Sequence, residues 1–130
     1  MVIVNGKIKG KARPRVFNGH AVTPKDTVNY ENWVRINYQN QDGGFHEEAV
    51  KAVIIAYYEI PKSYAKKRRE NILNGLEHPQ KKPDADNVAK IILDSLNGIA
   101  YKDDSQVVEL TILKRFTTEK ERVEFEINDI

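Results

Sequence analysis

The chain has 130 residues, of which 40% are hydrophobic and 31% charged, and its formal net charge is +2. This length fits one domain with a modest core, and no apolar run approaches the roughly 20 residues of a membrane-spanning helix. The absence of cysteine excludes disulfides and thiolate zinc sites. With no signal-peptide pattern at the start, we expect a cytoplasmic protein without a membrane anchor.

The N-terminal half predicts strands and one helix. Residues 2–9 are predicted to form a strand, and Asn18-Gly19 is the strongest short signal for a hairpin turn. Helical spacing of apolar residues predicts a helix from Val28 that ends before Asp42. The apolar run Val50–Ile60, rich in Val, Ile and Tyr, is typical of a buried central strand.

The C-terminal half predicts an amphipathic helix followed by two strands. The helix is expected to be capped by Asp86 or Asn87 and to end at Leu96. Alternating apolar residues then predict strands at 107–116 and 123–127. The order of elements predicts an α+β fold, in which all 130 residues form one domain with a single mixed β-sheet and helices packed on it.

Carboxylates are concentrated around this amphipathic helix. Asp84 and Asp86 lie at its start, and the adjacent pair Asp103-Asp104 follows it. Helical spacing aligns Lys90 with Asp86 and Asp94 on the polar arc. A solvated face with ion pairs and an N-cap aspartate explains Asp86. It does not explain Asp84 or the pair, because adjacent carboxylates repel unless a cation or strong donors neutralise them.

Carboxylate oxygens without cysteine or histidine favour magnesium or manganese over zinc. A cation held by Asp84, Asp86 and Asp104 would bind a scissile phosphate and lower the pKa of an attacking water. Lys90 could stabilise the charge of the transition state or orient that water, and its alternative role is an ion pair. The constellation therefore indicates metal-dependent phosphodiester chemistry.

Residues 62–82 carry a local excess of five positive charges, including a predicted basic helix at 64–74. A basic segment directly before the carboxylates suits a site that holds a polyanion and a metal together. The alternative is a solvated helix face. The DNA contacts predicted from this segment are Lys66, Lys67, Arg68, Arg69, Lys81 and Lys82.

Four further basic residues are candidate DNA contacts. Lys11, Arg13 and Arg15 flank the first hairpin, where solvated strand residues are the alternative interpretation. Lys114 lies on the strand face that carries Val108, Leu110, Ile112 and Phe116. A lysine in a buried row is costly unless it reaches the acidic site or solvent, so Lys114 is either a site residue or a strand-end exception.

The acidic stretch has a specific pattern: two aspartates one residue apart, Asn and Lys on the following helix, an Asp-Ser-Leu step, and an Asp-Asp-x-Gln pair. These features occupy Lys82-Pro83-Asp84-Ala85-Asp86-Asn87-Val88-Ala89-Lys90, then Asp94-Ser95-Leu96-Asn97-Gly98, then Asp103-Asp104-Ser105-Gln106-Val107-Val108. In this pattern the chain resembles the RusA family of Holliday junction resolvases.

This resemblance implies a RusA-like homodimer that cuts four-way junction DNA with magnesium or manganese. It implies that Asp84, Asp86 and Asp104 bind the metal, that Asp103 has a secondary part, and that Lys90 is essential. The basic segment 62–82 departs from the shortest family members, and we expect it to be a DNA-facing helix or flap. Many relatives are encoded by prophages, which suggests a role in recombination and repair.

Two other classes of function remain open from the sequence. A non-catalytic DNA-binding protein could use the acidic cluster to hold a structural cation. A metal-dependent phosphohydrolase could act on nucleotides, but the wide basic surface disfavours this class because a small substrate does not need it.

Overall fold

The computed structural model describes residues 1–12, 15–22 and 24–130. Its elements in chain order are β1 Val2–Asn5, β2 Arg15–Phe17, β3 His20–Val22, α1 Lys25–Gln41, β4 Val50–Glu59, α2 Lys66–Leu73, α3 Ala85–Ser95, a 3₁₀ turn Asp104–Gln106, β5 Val107–Thr117 and β6 Arg122–Asp129.

One four-stranded sheet organises the fold, with strand order β1-β6-β4-β5, and β2 and β3 form a separate hairpin. β4 pairs with β5 in parallel and with β6 antiparallel, so the sheet is mixed and β4 is an interior strand. The predicted α+β class with one mixed sheet is therefore confirmed. The long α2–α3 crossover between β4 and β5 is what allows these two neighbours to run parallel.

The core lies on one face of the sheet. Alternate residues of β4 are buried, while Val53 and Ile55 between them are only half-buried. Val88, Ile91 and Ile92 of α3 are completely buried in the same cluster as these strand residues and the apolar positions of α1. Because α3 is fixed by this apolar stripe, its polar arc is presented outward, which orients the acidic residues.

Several predicted boundaries shift in the structure. α1 begins at Lys25 rather than Val28, with Pro24 at the N-cap position, because the fixed φ of proline suits the entry to a helix. β1 ends at Asn5 instead of residue 9, since Gly6 turns the chain with φ 122°. The hairpin turn at Asn18-Gly19 is confirmed, and both residues have positive φ.

The face of β5 that the sequence predicted to be buried is only partly covered. Ile112 and Phe116 pack against the core, but Val108 is 60% exposed and Leu110 is 47% exposed. β5 is an edge strand of the sheet. Its register against β4 shifts between Val107 and Glu109, so that Val108 has no partner in β4 and Val107 packs against the core instead. The alternation of residues identified the face correctly from Leu110 onward, and the expectation of burial was wrong for Val108 and Leu110.

In the described parts of the chain, none of the helices has the length and apolarity required to cross a lipid bilayer.

Candidate active site

The start of α3 presents two exposed carboxylates. Asp84, rather than the predicted Asp86 or Asn87, occupies the N-cap position, because its own backbone is extended (φ −67°, ψ 152°) and Ala85 is the first residue of the helix. The backbone carbonyl of Asp84 accepts the first helical hydrogen bond from Val88, but its side chain makes no cap hydrogen bond. Both Asp84 and Asp86 are exposed, so their oxygens are available to an external ligand.

The segment that follows β1 packs tightly along this helix start. The amide of Lys11 donates to the carbonyl of Asn87 at 2.9 Å. A Cβ on Gly10 would lie 2.8 Å from Cβ of Pro83 and 3.0 Å from Cβ of Asn87. Both neighbours are close to the backbone and cannot rotate away, so only glycine allows this approach.

We expect Gly10→Ala to destabilise the protein by about 1–3 kcal/mol, because the added methyl group must push the segment away from α3. Urea denaturation followed by circular dichroism measures this loss. Ala12→Gly lies in the same segment and is the control for a general effect of composition there. Equal stability of Gly10→Ala and the unaltered protein would contradict the close packing.

A second set of contacts holds the chain before Asp84. The hydroxyl of Tyr58 donates to the carbonyl of Pro83 at 2.9 Å. Lys114 donates to the carbonyl of Lys81 at 2.6 Å, and its ammonium lies 5.1 Å from the ring centre of Tyr58. Burial, with Glu121 and Asp84 nearby, raises the pKa of Tyr58 to about 12, so this hydroxyl remains a donor at neutral pH. Side chains of β4 and β5 thus hold the chain segment that precedes α3 in place.

At the other end of α3, Asp94 and Asp104 are neighbours. Burial and the neighbouring Asp94 raise the pKa of Asp104, and the charge of Lys90 opposes this shift. Lys90 lies 3.6 Å from Asp94, and its side chain is 61% exposed. Lys90, Asp94 and Asp104 therefore form one cluster of charged side chains at this end of α3.

Asp103 has a different environment from Asp104. Its carboxylate accepts a hydrogen bond from the amide of Ser105, and donation from Ser105 lowers the pKa of Asp103. Gln106 completes a reciprocal capping box and also donates to the carbonyls of His46 and Glu48. Asp103 therefore fixes the turn, whereas Asp104 faces α3.

The donor set matches a hard divalent cation, since it consists of carboxylate oxygens. Within residues 1–12, 15–22 and 24–130, however, no three acidic, histidine or cysteine side chains converge closely enough to form a metal site. Asp94 and Asp104 are brought together, but Asp84 and Asp86 are not gathered with them. The metal ligands therefore stay a prediction, supported by residue chemistry and by the shared polar arc of α3.

The basic helix is partly engaged in contacts of its own. Arg68 pairs with Glu77 at 3.0 Å and stacks over Tyr64, with 3.6 Å between its guanidinium carbon and the ring centre. Arg69 donates to the carbonyl of Pro61. Lys66 and Lys67 are exposed on α2. Thus the two lysines are open to a polyanion, whereas the arginines hold the loops that flank α2.

Exposed lysines form a basic cleft beside Asp84. Lys81 and Lys82 line a cleft of about 660 Å³ together with Lys7 and Lys120, which the sequence had not singled out. Glu59 and Glu121 also line this cleft, so four lysines outnumber two glutamates. A smaller adjoining cleft shares Lys82 and includes Asp84. The positive charge thus leads directly to the start of α3.

The remaining candidate DNA contacts fall at the first hairpin. Arg13 lies outside the described residues, and only the backbone of Arg15 is described, in β2. Lys11 is described, and its ammonium contacts Glu31 and Asp94. The roles of these three residues in DNA binding stay predictions.

Comparison with known proteins identifies the class. The model of a family described as endodeoxyribonuclease RusA matches residues 5–128. The chain therefore belongs to the RusA endodeoxyribonuclease family, as its motifs suggested. This family comprises phosphodiester hydrolases that act on DNA and generally depend on a divalent metal ion.

A curated relative from Bacillus subtilis (strain 168) is similar over almost the whole chain. It is the uncharacterized protein YqaN, 35% identical over 127 residues, which cover 94% of this chain and 89% of YqaN. The similarity therefore extends through the fold and beyond the short motifs.

Proposed function

We propose that this protein is a divalent-metal-dependent endonuclease that resolves four-way DNA junctions by paired symmetric nicks, in DNA recombination and repair. The observation that carries the proposal is the family match over residues 5–128, a range that contains the carboxylates and the lysine of α3. A homodimer is part of the proposal, because two strands of equivalent polarity must be cut symmetrically.

Asp84, Asp86 and Asp104 would hold Mg²⁺ or Mn²⁺ in this proposal. The ion would supply Lewis-acid activation of the phosphate and a more acidic bound water. In the overall reaction, the oxygen of water forms a bond to phosphorus and the bond between phosphorus and the 3′ oxygen breaks. The water loses one proton, and the leaving 3′ oxygen gains one.

Lys90 would act on the phosphate in this proposal. It lies on the outward arc of α3, one turn after Asp86, and most of its side chain is free to reach a ligand. An ammonium there favours the extra negative charge that develops on the phosphate oxygens. We assign Lys90 this role of charge stabilisation.

The basic cleft supports a path for DNA. The exposed lysines of the cleft adjoin Asp84, and Lys66 and Lys67 extend positive charge along α2. Lysines that contact phosphates add affinity regardless of sequence and make binding depend on salt. The wide basic surface favours branched DNA over a nucleotide substrate.

The proposal is tested with a synthetic four-way junction and a duplex of matched sequence, each incubated with Mg²⁺, Mn²⁺ or chelator. Metal-dependent nicks near the crossover, absent from the duplex, are expected. Light scattering coupled to size-exclusion chromatography should give the mass of two chains. Tight junction binding without cleavage in either metal would instead support a non-catalytic DNA-binding protein with a structural cation.

A further inference from the structure

Lys11 is held between two helices by carboxylates that are distant in sequence. Its ammonium lies 2.9 Å from Glu31 of α1 and 3.4 Å from Asp94 of α3. Only 19% of the Lys11 side chain is exposed, and Glu31 is buried at 8% exposure. A buried carboxylate needs such a partner, so Glu31 fixes the position of the ammonium.

The backbone around Lys11 is equally constrained. The amide of Lys11 donates a hydrogen bond to the carbonyl of Asn87, and the neighbouring Gly10 packs directly on the start of α3. Lys90, which also contacts Asp94, has a largely exposed side chain. Of the cations that contact Asp94 in the described part of the chain, Lys11 is therefore the more constrained.

Asp94 connects this constraint to the candidate site. Asp104, on the loop before β5, is a neighbour of Asp94. Two neighbouring carboxylates repel, and a fixed positive charge beside one of them favours a single arrangement of the pair. Contacts thus run from Glu31 through Lys11 to Asp94, whose neighbour is Asp104.

We propose that Lys11 is a positioning residue that orients Asp94, and through it Asp104, for metal binding and DNA cleavage. This inference rests on the proposed function of the site. The sequence suggested that Lys11 contacts a DNA phosphate. We infer a positioning role instead, because the Lys11 ammonium already contacts two carboxylates. No contact of Lys11 with DNA is required.

The test compares Lys11→Met with Lys11→Arg and with Lys9→Met, a control in the same segment. We expect Lys11→Met to lower kcat on the junction about 10- to 100-fold and to weaken Mn²⁺ binding by a similar factor. Mn²⁺ affinity is measured by calorimetry without DNA. Junction affinity in chelator should change less than about twofold. Lys11→Arg retains the charge and should recover part of kcat.

A double variant separates positioning from stability. Lys11→Met leaves Glu31 buried without its partner, so the protein is also destabilised. Lys11→Met combined with Glu31→Gln removes that unpaired charge and should fold well. If it recovers both stability and kcat, Lys11 is only structural and the inference is overturned. Persistent loss of kcat and of Mn²⁺ affinity in the stable double variant supports positioning.

Two further outcomes would overturn the inference. Weaker junction binding by Lys11→Met, with unchanged kcat and Mn²⁺ affinity, would identify a phosphate contact. Absence of Mn²⁺ binding by the unaltered protein would remove the basis of both the inference and the proposed function. If the unaltered protein binds Mn²⁺ but cuts no branched DNA, the proposed function fails, whereas the Mn²⁺ affinity of the variants still decides the role of Lys11.

Discussion

Asp86→Asn is expected to reduce junction cleavage by a factor on the order of 10³ or more while junction binding in chelator stays unchanged. An amide oxygen carries no net charge, so it holds a hard cation much less strongly than a carboxylate. Losing several kcal/mol of stabilisation of the transition state corresponds to this factor. Single-turnover cleavage and electrophoretic mobility of the junction complex measure the two quantities.

Asp26→Asn is the matched control for this substitution. Asp26 and Asp86 are exposed aspartates in the first turns of α1 and α3. Each carboxylate interacts favourably with the positive end of its helix dipole, which stabilises the folded protein by roughly 0.3–1 kcal/mol. Both variants should therefore lose similar stability. If Asp86→Asn loses folding and junction binding together, the acidic cluster has a structural role. Full cleavage by this variant would exclude Asp86 from the site.

Lys90→Gln is expected to lower kcat by about 10²–10³-fold with little change in the affinity for metal. The reason is the loss of a cation where negative charge develops on the phosphate, which typically has an effect of this size. Lys90 is on the surface, and its one ion pair in the described chain is with Asp94, so stability should change little. Rapid-quench cleavage at saturating Mg²⁺ measures kcat.

Lys102→Gln provides the control for a change of charge near the site. Lys102 is exposed on the loop beside Asp103, where no chemical role is assigned to it. Lys102→Gln should therefore change at most the salt dependence of junction binding. A decrease in junction affinity without a decrease in kcat for Lys90→Gln would mean that Lys90 only binds DNA.

The amphipathic pattern of α3 was sufficient to predict its buried face. Val88, Ile91 and Ile92 are completely buried, as their spacing indicated. The prediction of the capping residue was wrong, because Asp and Asn are both favourable at an N-cap and the sequence offers Asp84, Asp86 and Asn87. Only the extended backbone after Pro83 decides among them.

Contacts between distant segments limited the prediction of the site. Lys11 was assigned to the DNA surface because its partners, Glu31 and Asp94, are far away in the chain. Arg68 belonged to a basic run, yet it pairs with Glu77 across the end of α2. In both cases the sequence shows the positive charge, but the carboxylate that pairs with it depends on how the segments pack in the fold.

The register of β5 against its neighbour was also not predictable from the sequence. Alternation predicted which face of β5 turns inward, and Ile112 and Phe116 follow it. At the start of β5, a register shift against β4 leaves Val107, and not Val108, packed against the core. Such a bulge depends on how two strands pair and is not encoded in the alternation of one strand.

Junction resolution is tested most directly with a supercoiled plasmid that extrudes a cruciform, treated with the protein and Mg²⁺ or Mn²⁺. Paired nicks across the junction within one complex convert the plasmid to a linear form, and we expect this product with the unaltered protein but not with Asp86→Asn. Plasmid that stays supercoiled at protein concentrations sufficient to bind the cruciform would contradict the assignment of a junction-resolving nuclease.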